Sequence, residues 1–209
     1  MESSGPEPET RAGLYRIQMA SRLHLVTLAD YFTDLNRDNG VGGMPLFQPQ
    51  PRGTVSPSPE KLEKVQRAAD VPIGEGGWRR FWLALEAATG AVAGHVDLQA
   101  WSEPYMDHRV LLGMGVHREH RRRGLGRRLL QFVSDWAAAE TRAEWIDLCV
   151  LAGNDAARAL YASVGFVEAG IFRDKFRIDG ESVDEIRMTK AVRRPSSRPA
   201  GHAASTANR

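Results

Sequence analysis

Residues 109–137 place the tightest constraint on what this chain can become. An apolar run, RVLLGMGVH, leads into HREHRRRGLGRR, where six arginines surround two glycines. After it, Leu129, Leu130, Val133, Trp136 and Ala137 recur at the spacing of one helix face. The order is therefore strand, basic glycine loop, helix. The first amides of a helix have no intrahelical partner, and the helix dipole adds partial positive charge there. Glycines let a backbone approach an anion closely, and arginines add charge and forked donors. Such a junction suits a phosphate or pyrophosphate. The Walker pattern is absent, since no Gly-Lys-Ser/Thr follows, and so is the Rossmann fingerprint, since Arg121-Arg122-Arg123-Gly124-Leu125-Gly126 has no third glycine three residues on.

The positive charge is local. The formal net charge is +2, but the last 17 residues hold four arginines and no acid, while the first thirteen hold three glutamates and one arginine. The body between them is formally neutral, which argues against a broad nucleic-acid surface. At 209 residues with 42% apolar side chains, the chain can bury one core, and no apolar run is long enough to span a bilayer. MESSGPEPET lacks the basic-then-apolar order of a secretory signal, so a cytoplasmic location is expected. The single cysteine, Cys149, rules out an internal disulfide framework and a Cys-rich metal site; between apolar neighbours it reads as a buried, inert thiol. The six histidines show no His-x-x-x-His pair, no metal is expected, and His117 and His120 read as surface groups.

Along the chain, residues 1–13 and 193–209 read as disordered tails around one domain, 14–192. YRIQMA reads as a strand, and LHLVTLADYFTDLNRDN as a helix. The long loop GVGGMPLFQPQPRGTVSPSP suits a binding role, with Phe47 a candidate for an acceptor pocket. Ser58 can cap a helix that Pro59 begins, running to about Ala69. WRRFWLALEA and AVAGHVDLQAW form a hairpin about Thr89-Gly90. WIDLCVLA is a strand, and NDAARALYASVG a short helix capped by Asn154 and ended by Gly165. FVEAGIFRDKFRI and ESVDEIRMTKAV close the domain as a hairpin on Asp179-Gly180. The fold class is α/β or α+β.

This order resembles the GNAT superfamily of acetyl-CoA-dependent N-acetyltransferases. RRRGLG is similar to its acetyl-CoA signature, Gln/Arg-x-x-Gly-x-Gly/Ala, through Arg121, Gly124 and Gly126. NDAARALYASVGF is similar to its second signature, through Asn154, Ala157, Leu160, Tyr161, Gly165 and Phe166. Within the family the chain resembles the bacterial branch that acetylates small amines, amino acids or protein N-termini. The resemblance implies a mixed, mostly antiparallel sheet flanked by helices, with two central parallel strands, RVLLGMGVH and WIDLCVLA, splayed to admit a pantetheine arm. It implies that Met114, Gly115 and Val116 pair with that arm. Arg121, Arg122, Arg123, Gly124, Leu125, Gly126 and Arg127 would hold the pyrophosphate, and Asn154 and Ala157 would meet the acyl donor from the other wall.

For transfer to a primary amine by direct attack, the resemblance implies Tyr161 as general acid for the leaving thiolate and a Met114 or Val116 amide for the oxyanion. Many members place a glutamate on the fourth strand, where this chain has Val110-Leu111-Leu112. Asp97 and His95 alternate with Val96 and could face the acceptor instead. A CoA-binding sensor or scaffold without catalysis is the alternative. The partners expected are acetyl-CoA and an amine, with neither nucleic acid nor membrane; a homodimer is frequent among members.

Overall fold

The structure, a computed structural model, describes residues 13–21, 24–54 and 59–193. The expectations for residues 1–12, for Ser58 as a helix cap and for residues 194–209 lie outside the described residues. The elements run β1 (Tyr15–Met19), α1 (Leu25–Asn36), α2 (Pro59–Asp70), β2 (Arg79–Glu86), β3 (Val92–Ala100), β4 (Arg109–Val116), a single 3-10 turn (Arg118–His120), α3 (Leu125–Glu140), β5 (Trp145–Leu151), α4 (Asp155–Ala162), β6 (Val167–Ile178) and β7 (Glu181–Ala191). The strands form one seven-stranded sheet in the order β1-β2-β3-β4-β5-β7-β6. Every neighbouring pair is antiparallel except β4 and β5, which are parallel.

The sheet is apolar on both faces near its middle, which is why helices cover both. In β2, Trp82 and Ala84 enter one cluster and Phe81, Leu83 and Leu85 another, as strand alternation requires. On the first face α3 lays Leu125, Leu129, Leu130, Val133 and Ala137 against Val96, Leu98, Val110, Leu112, Ile146 and Leu148. On the second, α1 sets Leu28, Tyr31 and Leu35 against Phe81 and Leu83. The hairpin turn between β6 and β7 has positive φ at both central residues, Asp179 and Gly180, as the Asp-Gly pair predicts.

The long loop after α1 is organised by one side chain. Asn39 is fully buried. Its Oδ1 accepts from the Phe47 and Gln48 amides at 2.7 and 2.9 Å, and its Nδ2 donates to the carbonyls of Gln48 and Gln50. Further along, Arg52 pairs with Asp179 and Glu181, tying the loop to the β6–β7 turn. Phe47 packs beside the α1 cluster, on the second face of the sheet.

The sequence does not predict the 3-10 turn, and the histidines there correct the surface reading. His120 is buried, with its Nδ1 3.1 Å from the Tyr15 hydroxyl. His117 places Nε2 2.6 Å from Asp34, and its Nδ1 accepts from the Glu119 amide. The two rings join the end of β4 to α1 and β1.

Candidate active site

The parallel pair is short. β4 and β5 are in register only at Arg109↔Trp145, Val110↔Ile146 and Leu111↔Asp147, and then part. Antiparallel strands alternate the side to which each residue's N–H and C=O point. The His117 amide bonds to the Ala93 carbonyl on the β3 side, so the backbone groups of Val116, Met114 and Leu112 face the gap. Likewise the Ala152 amide bonds to Asp184 on the β7 side, which turns the backbone of Leu151 and Cys149 toward the gap from the other wall. The Val116 carbonyl is taken by Arg121 and the Leu151 carbonyl by the Asn154 amide, so the wedge offers chiefly the main-chain groups of Met114 and Cys149 and the Val116 amide; it can take an extended chain much as a sheet edge takes a strand.

The mouth of the wedge is the start of α3. Arg122 and Gly124 both have left-handed backbone, at φ 61° and 82°. The first amide to find a partner is that of Arg128, on the Gly124 carbonyl at 3.1 Å. Amides from Arg122 to Arg127 have no hydrogen-bond partner among the described residues. Consecutive free N–H groups about left-handed residues, at the positive end of a sixteen-residue helix, form an anion-binding concavity. A side chain at Gly126 would bring its Cβ within 2.8 Å of Leu160 Cδ2, 3.6 Å of Met114 Cε and 3.8 Å of Val116 Cγ2. Gly126 therefore joins α3, α4 and the wedge edge of β4 at one point. Leu125 is buried in the core beneath.

The arginines divide by task. Arg121 donates Nε to the Val116 carbonyl at 3.0 Å and pairs with Asp38, and its amide bonds to Arg118. Arg118 pairs with Asp34 and Asp38. These contacts hold the Asp34 carboxyl below the usual range, chiefly through its hydrogen bond to Arg118. Arg127 donates to the carbonyl and hydroxyl of Ser163, past the end of α4. Arg122 and Arg123 are exposed and make no side-chain hydrogen bond or ion pair among the described residues, so both guanidinium groups can meet an anion.

On the other wall, Asn154 caps α4, accepting from the Ala157 amide at 3.3 Å. Its Nδ2 donors have no partner among the described residues. Tyr161 is buried against Phe166, and its hydroxyl makes no hydrogen bond among the described residues. Burial pushes its phenol up to about 12, so it stays protonated through the neutral range.

The sequence model of the acetyltransferase (GNAT) family matches residues 45–166, more than half of the chain. The chain belongs to the GNAT family. It is similar to the N-alpha-acetyltransferase RimI of Mycobacterium tuberculosis, 40% identical over 74 residues, which are 35% of this chain and 44% of that protein. It is similar to the ribosomal protein bS18-alanine N-acetyltransferase of Salmonella typhimurium, 40% identical over 96 residues, 44% of this chain and 62% of that one. The matches thus span roughly half the length of these relatives. In fold, it is similar to the spermidine N-acetyltransferase of Vibrio cholerae solved with CoA and spermine, with a TM-score of 0.65 at 21% identity, covering 85% of this chain and 95% of that one. The seven-stranded mixed sheet with its parallel β4–β5 pair is the GNAT fold.

The second face of this GNAT sheet carries the remaining ionisable groups. His95 and Asp97 lie opposite Gly115 and Gly113 in the β3–β4 register. A Cβ at Gly113 would come within 2.6 Å of Asp97 Oδ1, and one at Gly115 within 2.6 Å of His95 Cε1. Both side chains face the α1 side of the sheet, and both are locked. Asp97 pairs with Arg79 at 2.7 Å. His95 stacks on Phe81 at 5.2 Å and sits 2.9 Å from the Tyr31 hydroxyl, which also reaches the Gly115 carbonyl. Burial drives the His95 imidazole down to about 3, so it is neutral where a base is needed and too weak to be one.

Cys149 departs from its expected burial: it is exposed. Its neighbours Leu148 and Val150 face the α3 core, while Cys149 faces the opposite side of β5 and is exposed among the described residues. Burial of part of the thiol, then the charge of Glu185, pushes it up to about 11. Around it sit groups that sequence reasoning missed. Asp147 is held by Arg109, Trp101 and Thr189. Glu185 accepts from Lys175, and Arg187 lies over Phe172 and Trp101. The available signal was the alternation in ESVDEIRMTKA, where Glu185, Arg187 and Thr189 share one face and Ile186 and Met188 the other.

Proposed function

We propose that this protein is an acetyl-CoA-dependent N-acetyltransferase acting on a primary amine by direct transfer. The observation that carries the reading is the wedge: main-chain groups of Met114, Val116 and Cys149 face a gap whose mouth is a row of free amides at α3. Those amides, from Arg122 to Arg127, would hold the pyrophosphate, with Arg122 and Arg123 adding charge. Arg121 and Arg127 would serve by holding the loop, since their guanidinium groups are already engaged. Met114, Gly115 and Val116 would carry the extended arm along β4, and Asn154 and Ala157 would close the other wall. Acetyl-CoA supplies the activated acetyl group as a thioester.

The chain's own chemistry follows from these placements. A Met114 or Val116 amide would donate to the thioester oxygen as charge develops there. Tyr161, protonated at neutral pH, would give its proton to the departing sulfur. Neither Asp97 nor His95 is free to act as a base, so the amine arrives partly neutral or loses its proton through water.

The test is a melting scan with acetyl-CoA, followed by thiol release over an amine panel. Stabilisation together with thiol release supports the reading. Stabilisation with no release from any amine would instead mark a CoA-binding module without catalysis. No stabilisation would remove the wedge as the acyl-donor site.

A further inference from the structure

At the level where β4 and β5 part, one row crosses the second face of the sheet. Asp97 pairs with Gly113 on one side of the gap, and Cys149 with Arg187 on the other. Cys149 is small and exposed, so the floor is open there, while the Asp97 carboxylate lies over Gly113, its Oδ1 2.6 Å from where a Cβ would stand. Charged groups on this floor are matched in pairs: Asp97 with Arg79, Asp147 with Arg109, Glu185 with Lys175. Arg187 is the least engaged of them: its one ion pair, with Glu185 at 3.6 Å, carries no hydrogen bond among the described residues. Its guanidinium lies 4.5 Å from the Phe172 ring centroid and 5.7 Å from that of Trp101. Trp101 is itself fixed by its 3.1 Å hydrogen bond to Asp147. Among the described residues Arg187 Nε is buried without a hydrogen-bond partner, and its ion-pair partner, Glu185 Oε1, is 3.6 Å away and already accepts from Lys175. Its side chain is still 39% exposed, so a ligand can reach it. A planar cation held between two rings with unused donors is built for a planar anion.

We infer that Arg187 receives a carboxylate carried by the acceptor close to its amine, which makes the acceptor an amino acid or a close analogue rather than a polyamine or a peptide N-terminus. This assignment rests on the acetyl-transfer reading for the reaction itself. In that reaction the amine nitrogen bonds to the acetyl carbon, the carbon–sulfur bond breaks, and the proton lost by nitrogen is balanced by the one Tyr161 gives to sulfur. The carboxylate takes no part in bond-making; Arg187 holds it while the amine sits over Cys149, beside the Asp97 carboxylate that covers Gly113. A polyamine would bring a second positive charge toward a guanidinium whose one ion pair, to Glu185, is long and shared with Lys175, which disfavours it.

The experiment compares thiol release for a panel of free amino acids with that for their carboxamides, using wild type, Arg187→Gln and Arg187→Lys. Wild type should favour the best acid over its amide by roughly 10–100-fold in kcat/KM, the worth of one charge-assisted pair. Arg187→Gln should collapse that ratio to about 1, mainly through KM, and Arg187→Lys should restore part of it. Acetyl-CoA-induced stabilisation of each variant reports that it is folded. Equal use of acids and amides by wild type, or an equal loss on both in Arg187→Gln, would overturn the assignment. Thiol release from no amine would instead bring down the transfer reading. In that case calorimetric binding of the free acids with CoA decides the anion site: binding lost in Arg187→Gln upholds it, and no binding removes it.

Discussion

Tyr161 shows how a single residue can be placed by burial alone. Its phenol is held by Phe166 and the α3-side core, yet its hydroxyl has no partner among the described residues. Among the described residues that hydroxyl is not one of the buried polar atoms left without a partner, so it reaches accessible space, and its proposed role is proton donor to the leaving sulfur. Tyr161→Phe should lower kcat by about 10²-fold or more, the span of a general acid, while leaving the acetyl-CoA affinity nearly unmoved. Steady-state thiol release with the best amine reads this; an unchanged kcat would remove Tyr161 from the proton transfer. The sequence points to this tyrosine because it sits in a signature with fixed spacing, and the kcat of Tyr161→Phe is what tests the role proposed for it. Cys149 was misread because flanking apolar residues suggest burial, whereas strand alternation sends them to the opposite face. Glu185 and Arg187 were not legible as site residues, since nothing local says that β7 returns beside β5.

Among the elements, the junction from β4 to α3 shows which glycines serve the fold and which leave room for a ligand. A Cβ at Gly115 would come within 2.6 Å of the His95 ring and 2.9 Å of Leu35, and that ring is locked between Phe81 and Tyr31. Overpacking there should cost about 1–3 kcal/mol. At Gly126 the first obstacle is the far end of Leu160, which can turn aside. Gly126→Val should therefore lower the melting temperature by only a few degrees, about 2–4 °C per kcal/mol in a domain of this size, yet weaken acetyl-CoA binding at least tenfold. Calorimetric titration beside a melting scan separates the two effects; parallel losses would make Gly126 a packing residue. The strand–loop–helix order was readable because apolar periods bracket the glycines. The division of the arginines was not, because Arg118 and Arg121 find Asp34 and Asp38 only once α1 packs across the sheet.

Across the whole molecule, two buried histidines tie stability to pH. Burial lowers the His95 imidazole to about 3 and lowers His120 in the same direction. Below the unfolded value of about 6.5, the unfolded chain takes up protons that the folded chain refuses. Stability from His95 is therefore complete above about pH 6.5 and is lost as pH falls toward 3, by up to about 1.4 kcal/mol per pH unit. His120 acts with the same sign. Asp34, held low by Arg118, adds a loss that begins as pH falls through the ordinary carboxylate range and continues below it. A melting series should thus begin to fall near pH 6.5, well before carboxylates titrate, and His95→Gln should flatten the portion between pH 6.5 and about 4. A wild-type curve flat down to about pH 4.5 would mean that His95 accepts a proton without leaving its aromatic box. Because that box touches Gly115 and its carbonyl through Tyr31, acid should loosen the β4 edge of the wedge as it loosens the fold. Acetyl-CoA binding would then decline over the same pH interval as the melting temperature.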